Sequence, residues 1–135
     1  MSIFRLGTRS LERLKGVDED LVRVVKLAIQ DTTVDFGVTE GLRTIEKQRE
    51  YVAAKKSWTM KSKHLEGKAV DLHPIMYGKA DYTKCHLVRD AMFKAAGELG
   101  VKIRWGGDWN QNGSSVDENQ RGSYDGPHFE LLEGV

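Results

Sequence analysis

The chain has 135 residues, of which 39% are hydrophobic and 30% charged. That is one domain's worth of sequence spanning residues 1–135, long enough to bury a core without disulfides, and its composition excludes disorder, collagen and coiled coil. The 21 Lys+Arg against 20 Asp+Glu leave a formal charge of +1, which gives no footprint for nucleic acid. No apolar run approaches the ~20 residues that span a bilayer. Met1-Ser2-Ile3-Phe4-Arg5 has no apolar h-region, so no secretory signal is expected. Cys85 is the only cysteine; an intrachain disulfide is excluded, and a reducing compartment fits.

In chain order, residues 8–15 read as a short helix. Asp18 is a plausible N-cap for a longer helix to Gln30, with Leu21, Val24, Val25, Ala28 and Ile29 on one face. Asp35–Thr39 alternates as a strand, and Thr44 caps a predicted helix from Ile45 to Lys56. Ala69–His73 reads as a strand with Val70 and Leu72 on one face, Ala69, Asp71 and His73 on the other, and Pro74 ending it. Thr83–Leu99 is the strongest helix, with a stripe of Leu87, Ala91, Ala95 and Leu99 and Gly100 just past its end. Val101–Trp105 and Phe129–Leu132 read as strands around a long Gly/Asn/Asp/Ser-rich loop over 106–126. Helices and strands mix without a βαβ rhythm, so the expected class is α+β: a small, mainly antiparallel sheet packed against helices.

Four histidines are present, and His86 lies on the long helix as a packing or surface residue. His64 precedes the turn Leu65-Glu66-Gly67, Asp71 lies on the strand that follows, and His128 opens the last strand. Zinc takes imidazole nitrogen and carboxylate oxygen, and a catalytic site uses three protein ligands with one open position. By spacing alone two readings stand. These residues are a metal site, or Asp71 is an exposed strand carboxylate and His64 a loop histidine. Asp125 lies three residues before His128 across Gly126-Pro127, where it is either a general base beside a metal-bound water or the initiator of a turn. His73 is an outer partner of the site or a plain strand residue. Asp108-Trp109-Asn110-Gln111-Asn112-Gly113 matches the start of a calcium loop, with Asp117 just short of the twelfth position, which is Asn119 and not Glu. The other reading of Asp108, Asn110, Asn112 and Asp117 is an ordinary polar connector. Trp105 is expected in the core, while Trp109 is placed as a cleft wall that meets substrate. Trp58 is left between cleft and core.

The segment Ser62-Lys63-His64-Leu65-Glu66-Gly67-Lys68-Ala69-Val70-Asp71 meets all fixed positions of S-x-H-x-x-G-x-A-x-D. It resembles the signature of the zinc D-alanyl-D-alanine carboxypeptidase and L-alanyl-D-glutamate peptidase family, whose fold is shared with the hedgehog signalling domain. Asp125-Gly126-Pro127-His128 and Trp105-Gly106-Gly107-Asp108-Trp109 are similar to the D-G-x-H and W-G-G-D-W of its phage endolysin branch. Gly41-Leu42-Arg43-Thr44 resembles the G-x-R-T segment, with Gln48 at a recurrent glutamine. The resemblance runs from about residue 36 to 132.

It implies Zn2+ on His64, Asp71 and His128, with Asp125 as catalytic base. Arg43 would engage the scissile carbonyl or a substrate carboxylate, and Ser62 would hydrogen-bond near the substrate. The implied activity is hydrolysis of the L-Ala–D-Glu bond of the peptidoglycan stem peptide. The alternatives are a D-Ala-D-Ala carboxypeptidase or, further off, a non-catalytic zinc module; the Asp at Asp125, where the carboxypeptidase branch usually has Glu, speaks against the first. The implied protein is a monomeric endolysin without a separate wall-binding domain. It would gather in the host bacterial cytoplasm and reach the wall, in the periplasm, through a holin pore.

Overall fold

The structure is a computed structural model that describes residues 3–55, 63–109, 111 and 124–132. Helices α1 (Thr8–Arg13) and α2 (Glu19–Asp31) precede strand β1 (Asp35–Glu40) and helix α3 (Ile45–Ala53). A 3₁₀ turn at Lys63–Glu66 leads into β2 (Ala69–Met76) and the short β3 (Lys79–Ala80). A second 3₁₀ turn, Tyr82–Lys84, opens helix α4 (Cys85–Leu99), followed by β4 (Ile103–Trp105) and β5 (His128–Leu131). The strands form one antiparallel sheet in the order β1-β2-β5-β4, with β3 paired to β2. The α+β class and the antiparallel sheet agree with the sequence pattern.

The sheet's two faces follow from its period of two. Val38 pairs with Leu72, Val70 with Phe129, and Phe129 with Trp105, so these side chains share one face. That face joins Leu21, Val24, Val25 and Ala28 of α2 and Val88, Met92 and Ala95 of α4 in the core. Asp71 pairs with His128 and Glu130 with Arg104, which puts the polar set on the opposite face. The fold thus separates a greasy face that holds the molecule together from a polar face free for chemistry.

The capping residues read from sequence make their bonds. Asp18 accepts from the Asp20 N–H at 2.9 Å, and Thr44 from the Lys47 N–H at 3.1 Å. Gly100 closes α4 at φ 69°, and the Val101 N–H turns back to the Ala96 carbonyl at 2.9 Å. That Schellman bond holds Val101 at the helix end, so β4 begins later than expected, at Ile103. The buried stripe of α4 is also rotated from the expected one. It runs through Cys85, Val88, Ala91, Met92, Ala95 and Ala96, while Leu87 and Leu99 are only partly buried.

Pro74 does not end β2. It sits inside the strand opposite Phe36, and its carbonyl accepts from the Asp81 N–H at 2.9 Å. The Leu72 N–H points to Pro127, on the β5 side, and Pro74 faces the same way two residues on, beyond the last β5 pairing. Its missing N–H therefore falls in the gap between the last β5 pairing and the first β3 pairing on that edge. Helix α1 stops at Arg13, short of residue 15, and α3 at Ala53, with Lys55 at φ 59°; Lys56 lies outside the described residues.

Candidate metal centre and active site

His64 is delivered by the 3₁₀ turn before β2, and Gly67 ends that turn at φ 71°. A Cβ on Gly67 would lie 2.5 Å from the Gly16 carbonyl oxygen, so both the backbone angle and the space require glycine. Asp71 and His128 are directly opposed on β2 and β5. Cross-strand partners carry Cβ atoms only ~5 Å apart, so one register pairing brings two ligand types together. The donor atoms of His64, Asp71 and His128 all lie within 4.8 Å of one another. The His64 Nε2–Asp71 Oδ1 and His128 Nδ1–Asp71 Oδ1 separations are 3.2 and 3.3 Å. Ligands about 2.0–2.2 Å from a tetrahedral zinc are themselves roughly 3.3 Å apart, so the spacing fits that ion.

The remaining ring nitrogens have partners that set the tautomers. His64 Nδ1–H donates to the Gly41 carbonyl at 2.8 Å, and His128 Nε2–H donates to Glu130 Oε1 at 2.9 Å. His64 therefore offers Nε2, and His128 offers Nδ1, to the common point. Both rings are buried.

Electrostatics divide the carboxylates. Burial works against ionised Asp71, but hydrogen bonds from His128 and His64 outweigh it and hold its pKa well below the usual range. Burial also works against charging His128; bonds to Asp71 and Glu130 prevail and raise its pKa to about 9 in the metal-free chain. Asp125 is solvent-accessible at the mouth of the site, yet the protein around it and then the Asp71 charge push its pKa up, against His128, His64 and Arg43. A tight turn fixes its place. The His128 N–H donates to the Asp125 carbonyl at 3.1 Å, and the Trp105 indole N–H holds Gly126 O at 2.7 Å. Gly106 carries this turn: its carbonyl accepts from the Asp125 N–H at 2.8 Å, and a Cβ there would meet the Asp125 carbonyl oxygen at 2.2 Å.

Arg43 is buried and held on several sides. Its Nε donates to Glu40, an Nη donates to Gln48 Oε1 at 2.5 Å, and its guanidinium lies 4.6 Å over the Tyr51 ring. Tyr51 in turn donates to Glu40 at 3.2 Å. A register shift between Val38 and Glu40 puts Glu40, not Thr39, opposite Asp71, so the irregularity in β1 aims the carboxylate that grips Arg43.

Of the residues singled out from sequence, His64, Asp71, His128, Asp125 and Arg43 come together. Trp109 joins them: its ring lies 5.1 Å from the His128 ring, with the Arg104 guanidinium 5.2 Å from its own centre. Ser62, Trp58, Asn110, Asn112 and Asp117 lie outside the described residues; Asp108 begins a backbone turn, its carbonyl accepting from Gln111 at 3.1 Å. His73 lies opposite Gly37 in β1, with its ring near Ser10. His86 is exposed and Cys85 buried. Glu40 and Arg104 were missed in the sequence, because an isolated charge on a strand has no spacing signature. A register shift or a cross-strand pair assigns them.

A sequence model of the phage L-alanyl-D-glutamate peptidases matches residues 1–132. The L-alanyl-D-glutamate peptidase of Escherichia phage T5 is 36% identical over 96% of this chain and 98% of its own. The crystal structure of the Serratia marcescens L-Ala D-Glu endopeptidase ChiX superposes with a TM-score of 0.79 at 38% identity, covering 95% of this chain and 90% of that one. The vancomycin-resistance D,D-dipeptidase VanXYg shares the fold at a TM-score of 0.56 and 19% identity, over 85% of this chain and 50% of its own. The family match begins at residue 1, so α1 and α2, in which no motif was legible, belong to the family fold as much as the ligand-bearing strands do. With two relatives above one-third identity along nearly their whole lengths, the chain belongs to the phage L-alanyl-D-glutamate peptidase family.

Proposed function

We propose that this chain is a zinc peptidase that hydrolyses the L-Ala–D-Glu amide of the peptidoglycan stem peptide. The observation that carries the zinc reading is the convergence of His64 Nε2, Asp71 Oδ1 and His128 Nδ1 on one point. When bound there, zinc supplies Lewis-acid chemistry for a water and for the scissile carbonyl. Asp125 takes the proton of the attacking water and returns it to the departing amine of D-glutamate. Arg43, fixed by Glu40 and Gln48, presents its charge to the developing oxyanion or a neighbouring substrate carboxylate. Ser62 is assigned to hydrogen bonding near the substrate, and Trp109 to the cleft wall beside His128.

The identities of 36% and 38% to L-Ala–D-Glu enzymes, against 19% to a D,D-dipeptidase, favour this bond over D-Ala-D-Ala. Mass analysis of digested muropeptides separates the two. Release of the stem peptide after L-Ala supports the endopeptidase; loss of one terminal alanine makes the chain a carboxypeptidase.

The same reading makes the protein an endolysin, held in the host cytoplasm until a holin pore admits it to the wall, and acting as a monomer. Among the described residues no helix is long and apolar enough to cross a membrane. Expression in a bacterium with and without a pore-forming protein tests this: clearing of the culture is expected only with the pore. A calcium ion on the loop from Asp108 through Asn110, Asn112 and Asp117 is a separate proposal that rests on the sequence motif. Calcium titration of zinc-loaded protein tests it, since a rate that ignores millimolar calcium in both wild type and Asp108→Ala removes the ion from the account.

A further inference from the structure

Behind His128 lies a closed ring of contacts that the proposed chemistry does not use. His128 Nε2 meets Glu130 Oε1 at 2.9 Å, and Glu130 Oε2 meets the Arg104 guanidinium at 2.8 Å. Arg104 donates to the Trp109 carbonyl at 3.4 Å and lies over the Trp109 ring, which is itself tilted against the His128 ring. Lys63, one residue before His64, places Nζ 3.7 Å from the same Glu130 oxygen and donates to the Leu131 carbonyl at 3.0 Å. Glu130 is 4% exposed. A buried carboxylate with two cations on one oxygen and an imidazole N–H on the other is costly to assemble unless each group has a task.

We infer that Glu130 is the positioning residue of the metal centre: by accepting a hydrogen bond from His128 Nε2–H it fixes the tautomer that leaves Nδ1 free for the ion. This rests on the zinc reading above. The geometry favours it over a plain ion pair. Imidazole can rotate about χ2 and exchange its nitrogens, and only one of the two faces Asp71. His64 meets the same need with the neutral Gly41 carbonyl, whereas His128 has a full negative charge behind it, which makes its Nδ1 the more basic donor. Arg104 fixes the carboxylate's rotamer through its second oxygen, and Trp109 closes the side of the ring toward which His128 would otherwise swing. The ring also ties Trp109, at the end of the 106–109 segment, to His128. Glu130 is thereby excluded as the general base, because both its oxygens face away from the common point, toward His128 Nε2, Arg104 and Lys63.

The test compares wild type, Glu130→Gln, Glu130→Ala, Arg104→Met and His64→Ala. Affinity for Zn2+ alone is read by competition with a chromophoric chelator, and the His128 tautomer by ¹⁵N ring chemical shifts. Loss of such an outer partner typically weakens metal binding about 10–100-fold. That loss is expected in both Glu130 variants, with a smaller loss in Arg104→Met. In metal-free protein held above pH 9, where His128 is neutral, Glu130→Ala should cost the His128 ring nitrogens their single-tautomer signature while those of His64 keep theirs. Wild-type zinc affinity in Glu130→Gln, with the Nε2–H signature intact, overturns the inference and leaves Glu130 a structural ion pair; this isosteric variant decides even where Glu130→Ala fails to fold. If wild type binds no stoichiometric zinc, or His64→Ala binds it as well as wild type, the zinc reading itself falls and this inference with it.

Discussion

Asp71 and Asp125 are two carboxylates of one site driven in opposite directions. Asp71 is held low by two imidazoles, and Asp125 is raised by its surroundings and by Asp71. In the metal-free chain this divergence supports the proposed roles, with Asp71 staying ionised as a ligand and Asp125 exchanging a proton. Asp125→Asn is expected to lower the rate on purified peptidoglycan by roughly 10²–10⁴-fold. Zinc affinity should stay within a few-fold of wild type. The base works only when ionised, so the wild-type rate should fall as pH drops through the Asp125 pKa, and that acid limb should vanish in the variant. Stability should move the other way. A carboxyl whose folded pKa is raised costs stability once pH exceeds its unfolded pKa, so Asp125→Asn should melt at the same temperature or higher. A variant that keeps its rate would hand the base's role to another group.

Among the elements, the stretch from the first 3₁₀ turn into β2 was the most legible. His64, Gly67 and Asp71 have spacings that mean something locally: a turn, a glycine and a strand position. Legibility failed where structure depends on a distant partner. Pro74 survives inside β2 because it falls between the β5 and β3 pairings on that edge, which is a fact about sheet order and not about residues 69–76. Glu40 reaches the site through a register shift in β1, and the stripe of α4 is rotated by what α2 and the sheet present to it. Gly67→Ala tests the legible part. An L-residue at positive φ costs about 1–2 kcal/mol, and the 2.5 Å approach to the Gly16 carbonyl adds to it. The expected outcome is a lower melting temperature together with weakened zinc binding, because the turn sets His64 against Asp71. Unchanged zinc affinity in a destabilised Gly67→Ala would show that the turn supports the fold without setting the ligand.

At the scale of the whole molecule, the proposed metal centre joins β2, β5 and the turn before β2, so ion binding there would be linked to global stability. In the metal-free chain a proton on His128, between Asp71 and Glu130, stands where the ion's charge would be. Its folded pKa of about 9 lies above the ordinary histidine value of 6.5. The stabilisation from that proton is therefore complete below pH 6.5 and disappears as pH rises through about 9. Zinc must displace the same proton, so over this window its affinity should rise up to tenfold, about 1.4 kcal/mol, for each pH unit. Zinc at 100 times its dissociation constant contributes about 2.7 kcal/mol to the folded state. At a fixed zinc concentration, the gap in melting temperature between loaded and metal-free protein should thus widen steadily from pH 6.5 to pH 9. The metal-free protein should lose stability across the same range while the loaded protein changes little. Calorimetry of both forms at several pH values, with proton release on zinc addition measured in two buffers of different ionisation enthalpy, checks both halves. A gap that stays constant, with no proton released near neutral pH, would mean that His128 is already neutral before the ion arrives and that the Asp71–His128–Glu130 row is not held by a shared charge.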